Sequence, residues 1–155
     1  IFMPDFKFAT PAIAKRCMGD EQYPAIALGA LGRMVELRGF LDPWDPTGVR
    51  PAQRGVLVRH LILPGEEENS IAVLRLLRKE FGPLIPLSVM NQFHPVAACR
   101  KRGELTRRIS AGEHERVRSE VLDLGFKHVY MQAMPETADF LPDFSQDEPF
   151  QGNRR

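Results

Sequence analysis

The stretch of residues 55–63, ended by the turn Pro64-Gly65, constrains the fold of this chain more than any other. In an extended chain Leu57, Arg59, Leu61 and Leu63 share one face, and Val56, Val58, His60 and Ile62 share the other. A strand that is apolar on both faces is expected to be covered on both, as in a parallel sheet crossed by helices. Arg59 is the exception, because a guanidinium there asks for an anion. A carboxylate of the same chain, such as Asp5, would satisfy it structurally; the carboxylate or phosphate of a ligand would satisfy it functionally. His60, on the opposite face, reads as a satisfied core histidine.

The remaining segments fit the same architecture. Residues 2–7 are strand-like, with Asp5 and Lys7 leaving one face. Residues 10–18 form a short expected helix and residues 23–38 a longer one. In the latter, Pro24 suits the first turn, Ala27, Leu28, Leu31, Met34 and Val35 make an apolar stripe, and Gly39 supplies the stop. Asn69 or Ser70 is expected to cap a helix running to Phe81, with Val73, Leu74 and Leu77 on one side, before Gly82-Pro83. A third strand is expected over residues 84–93, with Pro86 near its start. Ser110-Ala111-Gly112-Glu113 has the form of a capping box, opening a helix that carries Val117, Val121 and Leu124 and stops at Gly125. Residues 128–131 read as a fourth strand.

The order is therefore β-α-β-α-β-α-β, which implies parallel pairing with right-handed crossovers, in a doubly wound sheet or a slice of a barrel. Residues 1–132 carry this pattern, and residues 133–155 read as a polar, proline-containing C-terminal tail. The long loop over residues 41–53, with Pro43, Pro46, Gly48 and Pro51, is either a partner contact or a disordered connector.

Three groups of residues are candidates for chemistry. Asp5 and Lys7 are surface charges if their face is wet, and an ion pair or ligand contacts if it lines a barrel lumen. Arg59 is the second. The third is the end of the third strand, where Asn91, Gln92 and His94 lie at the carboxyl edge at which parallel sheets build their sites. Those three either orient a small polar ligand or hold a strand exit by amide hydrogen bonds. His114 and His128 have no partner spacing and read as surface residues.

Composition narrows the partners. With 21 Lys and Arg against 20 Asp and Glu the chain carries a formal charge of +1, which gives no general support for nucleic acid or an anionic membrane. No apolar run approaches the roughly 20 residues of a membrane span, and no secretory signal is recognisable, so the expectation is a cytoplasmic protein. Cys17 and Cys99 have no metal-ligand spacing and read as two free thiols. Glycine-rich phosphate loops, Gly-x-Ser-x-Gly and His-Glu-x-x-His are missing from the sequence.

The same segments resemble the C-terminal half of radical SAM proteins related to pyruvate formate-lyase activating enzyme. Pro4-Asp5-Phe6-Lys7-Phe8 is similar to that group's Asp-x-Lys strand, and the run from Asp20 to Pro24 to its Asp-Tyr-Pro helix start. The run from Arg54 to Gly65 resembles Arg-Gly-Leu-x-x-Arg-x-Leu-x-x-Pro-Gly. That from Ser88 to Pro95 resembles Met-x-Gln-Tyr-x-Pro, and Leu105-Thr106-Arg107-Arg108-Ile109 matches Leu-x-Arg-x-Ile. The resemblance covers the chain to about Gln132. It implies an α/β fold whose parallel β/α units form the C-terminal half of a partial (β/α)6 TIM-like barrel. It further implies that S-adenosylmethionine is cleaved at a [4Fe-4S] cluster and that the resulting radical abstracts a hydrogen atom. The partner would be a glycyl radical enzyme or another protein substrate. By resemblance Asp5, Lys7, Arg59 and His94 would lie near S-adenosylmethionine or substrate, with Asn91 and Gln92 beside them.

The family's Cys-x-x-x-Cys-x-x-Cys is missing, and neither Cys17 nor Cys99 substitutes for it. The expectation is a truncated copy or fragment, lacking the N-terminal half of the barrel and inactive alone. Two other classes stay open. One is a non-catalytic domain that binds a ligand or another chain; the other is an unrelated α/β enzyme using Asp5, Arg59 and His94.

Overall fold

Backbone hydrogen bonding explains where the central apolar segment lies. In the computed structural model, which describes residues 1–134, β1 (Val58–Leu61), β2 (Leu87–Met90) and β3 (Val129–Met131) form a parallel sheet in the order β1-β2-β3. Val58 stands beside Leu87 and Arg59 beside Ser88, while Ser88 stands beside Tyr130. The strands are shorter than the spans of residues 55–63 and 84–93 expected from sequence.

Residues 2–6 run parallel along the free side of β1. Phe2 N–H donates to the Gly55 carbonyl, Leu57 N–H to Phe2, Arg59 N–H to Pro4 and Phe6 N–H to Arg59, all at 2.8–3.0 Å. One rung is missing because Pro4 has no N–H to donate. The run is therefore bridged at Phe2 and Asp5, and does not close into a continuous strand. On its outer side, the Tyr23 hydroxyl donates to the Asp5 carbonyl at 3.0 Å and accepts from Lys7 N–H at 2.9 Å. The Asn69 amide then takes the Lys7 carbonyl and Ala9 N–H at 2.9 and 3.1 Å. Two side chains thus stand in for a neighbouring strand over this half of the edge.

The helices are α1 (Pro11–Met18), α2 (Tyr23–Arg38), α3 (Glu67–Phe81), α4 (Ala97–Arg102) and α5 (Ala111–Asp123). Pro24 sits in the first turn of α2, and Gly39 ends it with φ 68° and an N–H to Val35. The capping box of α5 forms as expected. In contrast, α3 starts at Glu67, two residues before the expected cap, with Glu67 and Glu68 at its positive end. Asn69 and Ser70 are turned inward: Asn69 holds the 7–9 backbone and Ser70 meets His60. The short α4, between β2 and α5, contains Cys99 and ends at Gly103 in the left-handed region.

Residues that share one face of the sheet, Phe6, Val56, Val58, Ile62, Leu87 and Val89, pack with Leu31 of α2, Val73, Leu74 and Leu77 of α3, and Val117 and Val121 of α5. Each such side chain contributes roughly 1.5–3 kcal/mol by leaving water. The core helices all lie on this one side, so the described residues form no doubly wound sheet. The expectation that β1 is covered on both faces is corrected as well. On the other face Arg59 and Leu61, with Ser88 and Met90 of β2, are only half-buried.

The loop over residues 41–53 is tied down along its length. Asp42 bridges Arg54 in antiparallel fashion, and the Asp45 carboxylate accepts from the Thr47 hydroxyl and from the backbone N–H groups of Thr47 and Arg50. Those donors pull the Asp45 carboxyl down to about 2. Trp44 stacks on His128 with ring centroids 4.8 Å apart and leans on Tyr130 at 4.5 Å, and Tyr130 donates its hydroxyl to the Asp45 carbonyl. Where this loop crosses the strand, only glycine fits: a Cβ on Gly55, at φ 109°, would lie 2.2 Å from the Phe40 carbonyl oxygen. His114 is buried, contrary to expectation, and bonds the Gln132 carbonyl through Nε2 at 3.0 Å. Of the expected tail, residues from 135 onward lie outside the described residues.

Candidate ligand pocket on the uncovered face

Because the strands are parallel, their carboxyl ends lie together, and the sheet face without core helices opens there into a pocket of about 420 Å³. That volume falls in the range of small-molecule sites. Its polar lining comes from Asp5 and Lys7 on the first segment, Arg59 on β1 and Gln92 just past β2. Leu61, Leu63, Met90 and Phe93 supply the apolar lining, while Phe8, Cys17 and Leu105 complete the wall. The two-sided apolar pattern of β1 is thus accounted for by a pocket floor rather than by a second layer of helices.

Asp5 and Arg59 answer one another. Their backbones are bridged in register, and Arg59 Nε donates to Asp5 Oδ1 at 2.8 Å. The side chains remain 39% and 37% exposed. A pair that open to water is worth about 0–1 kcal/mol, so a ligand can displace either member at little cost to the fold. The same bond explains why Arg59 is tolerated in an apolar strand. Tyr23 and Asn69 fix the backbone from which Asp5 and Lys7 project. Burial pushes the Tyr23 phenol above its ordinary value, which keeps it a neutral donor and acceptor. Neither residue carries a sequence signal for this role: Tyr23 looks like the start of one helix and Asn69 like the cap of another.

The other two candidates lie elsewhere. Asn91 alternates to the helix side, where it is buried, and its amide donates to the Gln132 and Ala133 carbonyls at 3.2 and 2.8 Å. His94 is past the strand end and does not line the pocket; its Nδ1 accepts from Arg108 at 3.3 Å. Gln92, in contrast, reaches the pocket and accepts from Gln132 Nε2 at 3.4 Å.

Two cations, one carboxylate and an amide over apolar walls can meet a ligand that carries both an anionic and a cationic group. A [4Fe-4S] cluster bound through three thiolates does not fit: the chain has two cysteines, Cys17 in α1 and Cys99 in α4. Among the described residues no three His, Cys, Asp or Glu side chains are grouped to hold a metal ion. Within the same residues no helix is long and apolar enough to cross a membrane. No family model matches the chain, and no curated protein or solved structure shows significant similarity to it.

Proposed function

We propose that the chain is the ligand-binding half of a radical SAM protein related to pyruvate formate-lyase activating enzyme, and that its pocket binds S-adenosylmethionine. The observation that carries this is the Asp5–Arg59 pair, flanked by Lys7, on neighbouring parallel segments of the sheet face without core helices, where the pocket opens. Arg59 and Lys7 would meet the methionine carboxylate, Asp5 the ammonium group or a ribose hydroxyl, and Gln92 a polar edge of the adenine. Leu61, Met90 and Phe93 would pack against the purine. The parallel β/α order and the one-sided helix layer support a partial (β/α)6 barrel, whose inner face would be this one. Cluster ligands are not among the residues of this chain, so no step of radical chemistry is assigned to them. The parent would act in the cytoplasm on a glycyl radical enzyme or another protein.

Titration calorimetry of the full chain with S-adenosylmethionine and with S-adenosylhomocysteine tests this. Saturable 1:1 binding is expected, weakened tenfold or more by Arg59→Met, about the loss of one charge-assisted contact. No binding of either compound, or equal binding by Arg59→Met, would overturn it. Binding without cleavage under reducing conditions with iron and sulfide is the expected result for this chain alone.

A further inference from the structure

We propose that Glu113 is a positioning residue for the pocket: through Arg107 it fixes Leu105 as one wall and, through Gly65 N–H, Leu63 as another. The inference rests on the pocket being the ligand site. A capping box needs the Glu113 carboxylate only to accept the N–H of its own N-cap, Ser110. Here the carboxylate, in a residue only 7% exposed, accepts far more. Oε1 takes Gly65 N–H at 2.5 Å and Arg107 Nη2 at 2.7 Å. Oε2 takes Arg107 Nη1 at 2.7 Å, Ser110 N–H at 2.7 Å and the Ser110 hydroxyl at 2.8 Å. The surplus contacts leave α5 for two other segments. One is the turn after β1, two residues beyond Leu63. The other is the loop before α5, where Arg107 lies two residues beyond Leu105.

Leu105 sits at φ 50°, the left-handed region, which a leucine does not adopt without being held. Leu63, Leu105 and Cys17 line the same pocket. Arg107 engages Glu113 through both η nitrogens, the geometry in which even an exposed guanidinium holds a fixed orientation. One carboxylate therefore knots together two walls that are 42 residues apart in sequence (105 − 63).

Cys17 provides a readout that needs no ligand. In a Cys99→Ser background it is the single thiol, and its reaction rate with an aromatic disulfide reports the opening of the pocket wall. Arg107→Gln is expected to raise that rate about tenfold, the loss of a charged hydrogen-bonded pair. Leu105→Ala is expected to raise it as well, and the double variant to match Leu105→Ala alone, since Arg107 acts through Leu105. Arg107→Lys, which keeps the charge but not the fork, should fall between. Glu113→Gln should behave as Arg107→Gln; if it does not fold, Arg107→Gln carries the test. An unchanged Cys17 rate with a lowered Tm would make the knot purely structural and overturn the proposal, as would strictly additive rates. Failure of the wild-type chain to bind either S-adenosylmethionine or S-adenosylhomocysteine would defeat the functional reading while leaving the thiol rates to decide the positioning role. If it binds, Arg107→Gln should raise Kd about tenfold.

Discussion

The two faces of the sheet treat adjacent polar residues of the same strand in opposite ways. On the helix-covered face His60 is 2% exposed, and both ring nitrogens are engaged, Nδ1 with the Phe6 carbonyl at 2.8 Å and Nε2 with Ser70 Oγ at 2.9 Å. A carbonyl only accepts, so Nδ1 carries the hydrogen and Nε2 accepts from the Ser70 hydroxyl. On the uncovered face Arg59 is more than a third exposed and makes one charged contact. Burial forces complete satisfaction of a polar group, whereas partial exposure leaves donors available to a ligand. The difference separates a residue that builds the fold from one that can build a site.

Substitution should exaggerate that contrast. His60→Ala removes a buried ring and strands the Phe6 carbonyl and the Ser70 hydroxyl, and is expected to cost about 3 kcal/mol in urea unfolding. Next in size, Tyr23→Phe strips the outer backbone of residues 5–7 of its shared partner and should cost about 1–2 kcal/mol. Arg59→Met, on the uncovered face, should cost less than about 1 kcal/mol. A loss at Arg59 equal to that at His60 would erase the distinction between the faces.

Proton linkage sharpens it further. Burial lowers the His60 pKa below its ordinary 6.5, so the unfolded state takes up more protons beneath that value. The stability His60 contributes is intact above pH 6.5 and declines as pH falls from there. Glu113 is held well below its ordinary 4.5, first by the Arg107 hydrogen bonds, and its contribution is intact above 4.5 and declines beneath it. Urea midpoints followed downward in pH should therefore fall in two successive windows. His60→Gln should abolish the upper one, and Arg107→Gln should weaken the lower.

Sequence patterning carried the parallel β/α order, the bounds of α2 and the cap of α5, because proline, glycine and the Ser-x-x-Glu signal act locally. It did not carry the start of α3. Asn69 and Ser70 are good caps, but the backbone at residues 7–9 and the ring of His60, both distant in sequence, compete for their side chains and win. For Asn91, Gln92 and His94 the period of two already divides Asn91 from Gln92, and the pocket receives only Gln92. Apolar character on both faces of β1 predicts burial of both. A pocket floor gives the same pattern, and sequence alone does not separate the two. The second task of Glu113 is hidden for a similar reason: its capping role is local, while Gly65 reaches it only through the fold.

The most direct test of the central claim, that the uncovered face is the ligand face, is a two-dimensional amide NMR titration of the full chain with S-adenosylhomocysteine. Shifts are expected at residues 5–8, 59–63, 90–93 and 105, with α3 and the buried side of α5 unmoved. Shifts confined to α3 and α5, or spread evenly over the chain, would contradict it.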